Sequence, residues 1–151
     1  MKKKLVTFLS TGAYAGYSPV MPGTAGTLWG VAIWYLTRGS SPYAQALAVI
    51  LVFGVSVYVA EVARGVFGGE DPPFIVCDEI CGFLVSFFLI QFTVFNVILV
   101  FILFRFFDIL KPYPAGLIDR SVGGGFGIVL DDVAAGVYAN ISAHIIILAL
   151  R

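Results

Sequence analysis

Long apolar runs, separated by short polar stretches rich in glycine and proline, dominate the pattern of this chain. The first run covers residues 24–37 and would form a helix of about 20 Å, which is short against a hydrocarbon core of about 30 Å. It either extends at its ends or is re-entrant. The second run, residues 43–60, is long enough to span a membrane with little or no tilt.

The second half of the chain contains the longest apolar run, residues 80–107, and a final run at residues 126–150. A single helix over 80–107 would be about 42 Å long and would place its two charged ends on opposite sides of a membrane. Two short helices that turn near residues 91–96 would return both ends to one side. We favour this hairpin because it lets scattered carboxylates form one site. Residues 61–73, which combine four charges with a glycine pair and a proline pair, predict a loop in water.

These runs predict an all-α, polytopic helical membrane protein with about five helical segments, some of them short or re-entrant. Residues 1–151 would form one membrane-embedded domain. Composition agrees, since 60% of the residues are hydrophobic and 12% are charged, whereas soluble proteins carry about 25% charged residues. The net charge of zero and the lack of any nucleic-acid-binding motif exclude nucleic acid as a partner.

The basic residues predict the orientation of the helices. With five segments and a cytoplasmic N-terminus, seven Lys and Arg residues fall on the cytoplasmic side and two fall outside, in agreement with the positive-inside rule. The carboxylate-rich ends then face the cytoplasm. The seven are Lys2, Lys3, Lys4, Arg64, Arg105, Lys111 and Arg120, and the other two are Arg38 and Arg151.

Acidic residues gather at the ends of the apolar runs. One pair precedes the third run, a single acid follows that run, and a second pair lies in the first turns of the last run. The helix macrodipole explains either pair alone, but clustered carboxylates repel one another unless a cation neutralises them. Oxygen ligands suit Mg²⁺, Mn²⁺ or Ca²⁺. The predicted metal ligands are Asp78, Glu79, Asp108, Asp131 and Asp132.

Basic residues and a small-residue turn beside these acids fit a phosphate group. Arg105, Asp108 and Lys111 recur every three residues and would roughly share one helical face. This row is either an ion-paired strip at the membrane boundary or, through its two cations, a phosphate-binding strip. The PGTAGT turn leads into a helix, where the hydroxyls of Thr24 and Thr27 could help backbone N–H groups to bind an anion.

The cysteines and the single histidine are not expected to take part in the chemistry. Cys77 and Cys81 would share one face of a helix, but two thiols do not form a zinc site and a disulfide within one turn would be strained. We expect them to pack. His144 lies about 18 Å along the last helix from Asp132, too far to act as the catalytic base.

Four segments of the chain resemble the bacterial phosphatidylglycerophosphatase A family. They are GYSPVMPGTAGTL at 16–28, IVCDEICGF at 75–83, FRFFDILKPYP at 104–114 and IDRSVGGGFGIVLDDVAAG at 118–136. They occur in the family's order and with similar spacing. The chain departs from the family just before residue 75, where members can carry a histidine and this chain has EDPP.

The resemblance implies an Mg²⁺-dependent phosphatase of the bacterial inner membrane, and the oxygen ligands would also accept Mn²⁺ as a substitute. Such an enzyme hydrolyses the terminal phosphate of phosphatidylglycerophosphate to give phosphatidylglycerol and phosphate. It also implies that the five acids are the site residues and that Arg105 and Lys111 are the phosphate partners. Among the catalytic candidates, which are Asp78, Asp108, Asp131 and Asp132, we expect Asp78 or Asp132 to orient a water molecule, with an aspartyl-phosphate as the alternative.

Two other classes of protein stay open at this point. A small membrane transporter would also place carboxylates among apolar helices, but more often near the middle of the membrane. A membrane anchor or assembly subunit would need no carboxylate cluster. Neither the oligomeric state, the number of metal ions nor the acyl-chain preference follows from the sequence.

Overall fold

The computed structural model describes residues 2–69 and 71–150. In these residues the chain forms seven α-helices and no strand, as the all-α prediction expects. Glu70, predicted in a loop, and Arg151, predicted outside the membrane, lie outside the described residues. The helices are α1 (Lys2–Ser10), α2 (Pro22–Thr37), α3 (Pro42–Phe67), α4 (Cys77–Ser86), α5 (Val94–Leu110), α6 (Ala115–Ser121) and α7 (Gly124–Ala149), with a 3₁₀ turn at Ala15–Tyr17 before α2.

The apolar run at 80–107 folds as the predicted hairpin, in which residues 87–93 join α4 to α5. Side-chain amides satisfy backbone carbonyls of this turn. The Asn96 side chain donates to the Gln91 carbonyl, and Asn140 of α7 donates to the Phe88 carbonyl, both at 2.8 Å. The hairpin brings the start of α4 and the end of α5 to the same end of the bundle.

The predicted loop at 61–73 is wrong in its first half, because α3 continues to Phe67. The reason is tertiary: Ala60 and Ala63 are fully buried in an apolar cluster with Ile75 and Val129, and that packing outweighs the charges nearby. Two short helices, α1 and α6, were not predicted from the sequence.

Helix α7 packs against four others, namely α3, α4, α5 and α6. Its crossing with α4 is very close, because Gly82 faces Gly136 there. A Cβ atom built on Gly136 would lie only 2.3 Å from the Gly82 carbonyl oxygen. Beside this crossing, Phe83, Phe87 and Phe104 are fully buried and form the centre of the core. The crossing fixes the start of α4 against the first turns of α7.

Two of the described helices, α3 and α7, are long and apolar enough to cross a bilayer, judged by length and composition. Only 22% of the most apolar part of α3 and 28% of that of α7 are buried inside the protein. Large apolar side chains such as Leu47, Ile50 and Leu51 on α3 are exposed. The outer faces of these helices are therefore apolar.

Candidate active site

A cavity of about 180 Å³ opens at the end of the bundle where α4 and α7 begin and α5 ends. We call it the acid cavity. All five predicted acids line it, together with Lys111. Two further acids, Asp71 and Asp119, also line it, although the sequence interpretation gave neither of them a role.

Three carboxylates form a compact group that we call the acidic trio: Asp78, Glu79 and Asp132. One oxygen atom from each lies within 4.8 Å of the other two. Asp78 and Asp132 are buried. Each member also has a buried carboxylate oxygen with no hydrogen-bond partner. Buried acceptors without donors are costly, so the trio is suited to a ligand that supplies positive charge.

The protonation of α4's two acids reflects this crowding. Burial first, and then the charges of Glu79 and Asp132, raise the pKa of Asp78 well above its ordinary value. Burial also raises the pKa of Glu79, although its contacts with Asp78 and Arg105 act in the opposite direction. Close carboxylates resist simultaneous ionisation, and a divalent cation would remove that resistance because it favours the ionised forms.

Asp108 lies beside the trio and is ion-paired. The Arg105 Nη1 atom donates to Asp108 Oδ2 at 2.5 Å and lies 4.0 Å from Glu79 Oε1. The Nε atom of Arg105 is buried and has no hydrogen-bond partner. Arg105 thus joins Asp108 to the trio and keeps one donor unpartnered, although Arg105 itself is not among the residues that line the acid cavity.

Lys111 makes a second ion-paired group in the lining of the cavity. Its Nζ atom donates to Asp119 Oδ1 and to Asp131 Oδ2, both at 2.5 Å. Burial alone would lower the pKa of Lys111, but these two hydrogen bonds outweigh it and raise that pKa. Asp131 keeps one buried oxygen, Oδ1, without a partner.

The expectation that Lys111 continues the face of Arg105 and Asp108 is wrong. Lys111 follows the last residue of α5 and has a left-handed backbone, with φ of 43° and ψ of 58°. The helical spacing therefore stops before it, and its side chain turns towards α6 and α7. As a result the two cations pair with different acids. Arg105 pairs with Asp108, and Lys111 pairs with Asp119 and Asp131.

The PGTAGT turn meets the site through its glycine. A Cβ atom on Gly23 would lie 2.1 Å from Glu79 Oε1, so only glycine leaves room for that carboxylate. The Thr27 hydroxyl donates to the Gly23 carbonyl at 2.8 Å, whereas the buried Thr24 hydroxyl has no partner. Neither threonine is among the residues that line the acid cavity.

Glu61 of α3 is a supporting residue that the sequence interpretation placed in a loop. Its Oε2 atom accepts a hydrogen bond from the Gly125 backbone N–H at 2.5 Å. This contact satisfies a free donor in the first turn of α7, only six residues before Asp131. The glycine-rich start of α7 was the available signal, since close backbone approach requires small residues.

The two cysteines and the histidine are not among the residues that line the acid cavity. Cys77 and Cys81 are free and buried, and burial raises the pKa of each thiol to about 12. They therefore stay protonated and serve packing. His144 is exposed and does not line the acid cavity.

Closely spaced carboxylates beside cations that can bind an anion suit phosphoryl-transfer chemistry, and on this helical scaffold they fit the class of phosphatases. Comparison with protein families places the chain more closely. It belongs to the phosphatidylglycerophosphatase A family, whose model matches residues 8–147.

Curated relatives cover most of the chain. Phosphatidylglycerophosphatase A of Escherichia coli is 34% identical over 85% of this chain and 76% of its own length. The Haemophilus influenzae protein of the same name is 36% identical over 90% and 85%. A Bacteroides thetaiotaomicron protein, provisionally named a phosphatidylinositol-3-phosphatase, is 34% identical over 91% and 90%. No solved structure matches the chain at a significant level.

Proposed function

We propose that this chain hydrolyses the terminal phosphomonoester of phosphatidylglycerophosphate and releases phosphatidylglycerol and phosphate. Family membership supports the choice of substrate. The observation that carries the chemistry is the acidic trio, whose buried oxygens lack donors while Arg105 and Lys111 stand beside it. In the reaction, a water oxygen bonds to phosphorus and the bond from phosphorus to the glycerol oxygen breaks.

The trio of Asp78, Glu79 and Asp132 fits a hard divalent cation, with Mg²⁺ as the proposed cofactor and Mn²⁺ as a substitute. Mg²⁺ prefers a few carboxylate oxygens as ligands and keeps its other coordination positions for water and phosphate. Three closely spaced carboxylates match that preference. When bound, such an ion stabilises charge on the phosphoryl group and lowers the pKa of a bound water. The other two acids predicted as ligands, Asp108 and Asp131, would act next to the ion.

The cations and the remaining acid have separate tasks in this proposal. Arg105 does not line the acid cavity but lies 4.0 Å from Glu79 Oε1, and it would bind the phosphate as a planar donor through its unpartnered Nε–H. Lys111 binds a phosphate oxygen as a point charge. Asp131, whose Oδ1 atom has no partner, accepts the proton of the attacking water. This moves the role of orienting water from Asp78 or Asp132 to Asp131, because the first two belong to the trio.

The proposal places the protein in the bacterial inner membrane, crossed by α3 and α7 and with the acid cavity towards the cytoplasm. The exposed apolar faces of both helices support this, because the core helices of soluble proteins are mostly buried. The hairpin supports it too. Irregular backbone is tolerated at membrane depth only where its carbonyls are hydrogen-bonded. In this turn the side-chain amides of Asn96 and Asn140 donate to those carbonyls.

A small transporter finds less support. Its carboxylates would be expected near the middle of a spanning helix, whereas Asp78 lies in the first turn of α4 and Asp131 and Asp132 lie about two turns into α7. A phosphoinositide as substrate has one observation in its favour, the provisional name of the Bacteroides thetaiotaomicron relative. The substrate is therefore tested directly.

The experiment is phosphate release by detergent-purified protein from phosphatidylglycerophosphate and, separately, from phosphatidylinositol 3-phosphate. Each lipid is assayed with Mg²⁺ and with excess chelator, and with Asp131→Asn in parallel. We expect release from phosphatidylglycerophosphate that needs both the metal and Asp131. Phosphate release from phosphatidylinositol 3-phosphate alone would show that this lipid, and not phosphatidylglycerophosphate, is the substrate. No release from either lipid would overturn the proposed activity.

A further inference from the structure

A second cavity, of about 230 Å³, adjoins the acid cavity and shares Lys111 with it. We call it the Arg120 cavity. It is lined by Lys111, Tyr113, Gly116, Leu117 and Arg120, which come from the end of α5, the following loop and α6. The hydroxyl of Tyr138 on α7 donates to the Tyr113 carbonyl at 2.6 Å and holds this loop against the bundle. The proposed reaction makes no use of this space.

The charge in the Arg120 cavity is available to a ligand. Lys111 already donates to Asp119 and Asp131, and its third N–H group serves the terminal phosphate in the proposed reaction. Arg120, in the last turn of α6, forms no ion pair with a carboxylate in the described part of the chain. An arginine without a carboxylate partner suits a phosphate oxygen, which its guanidinium can bind through two N–H groups.

The rim of this cavity is apolar, since the side chains of Tyr113 and Leu117 are 80% and 50% exposed. A ligand that fits must therefore combine a negative charge with an apolar extension. A free phosphate ion, or a soluble phosphomonoester, would gain nothing from that rim. A phospholipid has both features, because its phosphodiester group is attached directly to the glycerol that carries the acyl chains.

We propose that the Arg120 cavity binds the phosphodiester group of the lipid whose terminal phosphate enters the acid cavity. This inference rests on the proposed function, since the substrate named there carries two phosphate groups joined through one glycerol. The shared wall at Lys111 places the two cavities side by side, as two linked phosphates require. Arg120 then selects lipids that carry a diester as well as a monoester.

The test separates the two cavities with two inhibitors of phosphatidylglycerophosphate hydrolysis in mixed micelles. Phosphatidylglycerol carries the diester without the monoester, and inorganic phosphate resembles the monoester alone. For Arg120→Ala we expect the KM for the substrate and the inhibition constant of phosphatidylglycerol to rise about tenfold, because Arg120 is exposed and water weakens its charge-assisted hydrogen bonds. The kcat and the inhibition by inorganic phosphate stay within about twofold of the wild type.

Arg120→Lys, which keeps the charge, should recover part of the loss. Arg38→Ala is the matched control, because Arg38 is an exposed arginine that stacks on Tyr35 at the far end of α2. Diacylglycerol, which has the acyl chains and no diester, should compete equally with every variant. Unchanged KM and unchanged phosphatidylglycerol inhibition in Arg120→Ala would overturn the proposal.

Failure of the proposed function gives a different result. If the wild type hydrolyses no phosphatidylglycerophosphate, binding of phosphatidylglycerol micelles is measured by calorimetry for the wild type and Arg120→Ala. Weaker binding by the variant would retain the diester site without the activity. Equal binding would overturn the site as well.

Discussion

The close crossing of α4 and α7 makes a sharp prediction for Gly136→Ala. The added Cβ would lie 2.3 Å from the Gly82 carbonyl oxygen, about 1 Å short of the 3.4 Å at which ordinary contact begins. Backbone atoms cannot rotate away, so the helices must separate by about that amount. Asp78 lies one turn before Gly82, and Asp132 lies one turn before Gly136. Separation of the two helices therefore moves Asp78 and Asp132 of the acidic trio apart.

Two consequences follow from a shift of about 1 Å. Overpacking of this kind costs about 1–3 kcal/mol of stability, and for a chain of this size each kcal/mol lowers Tm by about 2–4 °C. A displacement of about 1 Å in a catalytic site can cost about 10²-fold in rate. Mg²⁺ needs near-ideal octahedral geometry, so we expect half-saturation at higher Mg²⁺ and kcat/KM about 10²-fold lower, with partial recovery in excess Mg²⁺.

The assay combines thermal unfolding in detergent with phosphate release over a range of Mg²⁺ concentrations. Gly54→Ala is the control, because Gly54 lies within α3 and a Cβ there would meet nothing within 4 Å. Removing a helical glycine should leave Tm unchanged or raise it by the equivalent of about 0.5–1 kcal/mol. A Gly136→Ala protein with the turnover and the Mg²⁺ half-saturation of the wild type would refute this account of the crossing.

Three more predictions concern the same cavity. Asp131→Asn should lower kcat by about 10²–10⁴-fold, the usual contribution of a general base, in a protein that still folds. Asp119→Asn should lower kcat far less, because Lys111 keeps one carboxylate partner. Equal losses of kcat in steady-state assays would contradict the assignment of Asp131 as the base. Because the pKa values of Asp78 and Glu79 are raised above 3.8 and 4.5, the folded metal-free protein holds these protons more tightly than the unfolded chain, so its Tm should fall as pH rises through the raised values. Mg²⁺ should offset that fall, and a Tm gain from Mg²⁺ that does not grow from pH 5 to pH 8 would argue against the trio as the metal site. Gly23→Ala should displace the flexible Glu79 carboxylate with little change in Tm. The Mg²⁺ concentration for half-maximal activity should rise about tenfold, because removal of a supporting or ligand contact typically costs about 10–100-fold in metal affinity. Unchanged Mg²⁺ dependence would show that Glu79 does not bind the ion.

The hairpin and the meeting point of its charged ends were predictable because they follow from charge and length. A single helix over residues 80–107 would place its charged ends on opposite sides of a membrane, and the hairpin predicted in its place is confirmed. The end of α3 was not predictable. Its last turns carry charges that are typical of loops, and their helical form depends on the burial of Ala60 and Ala63 against distant residues.

Which three acids form the acidic trio could also not be predicted from the sequence. All five predicted acids line one cavity, but which of them converge depends on how α4 is rotated against α7, and the glycine contact at residues 82 and 136 sets that rotation. The partners of Lys111 depend on one left-handed residue. Helical spacing assigned that cation to the wrong face because it assumes that the helix continues.

The position of the trio on α4 and α7 has a consequence for biosynthesis. Asp78 and Glu79 leave the ribosome more than fifty residues before Asp132, so a nascent chain that ends before α7 carries two thirds of the trio. Such a chain also lacks Asp131, which is one of the two carboxylates that hold Lys111. The last helix to be made thus completes both groups at once, and under the proposed mechanism a chain interrupted during translation would hydrolyse no lipid until that helix had entered the bundle.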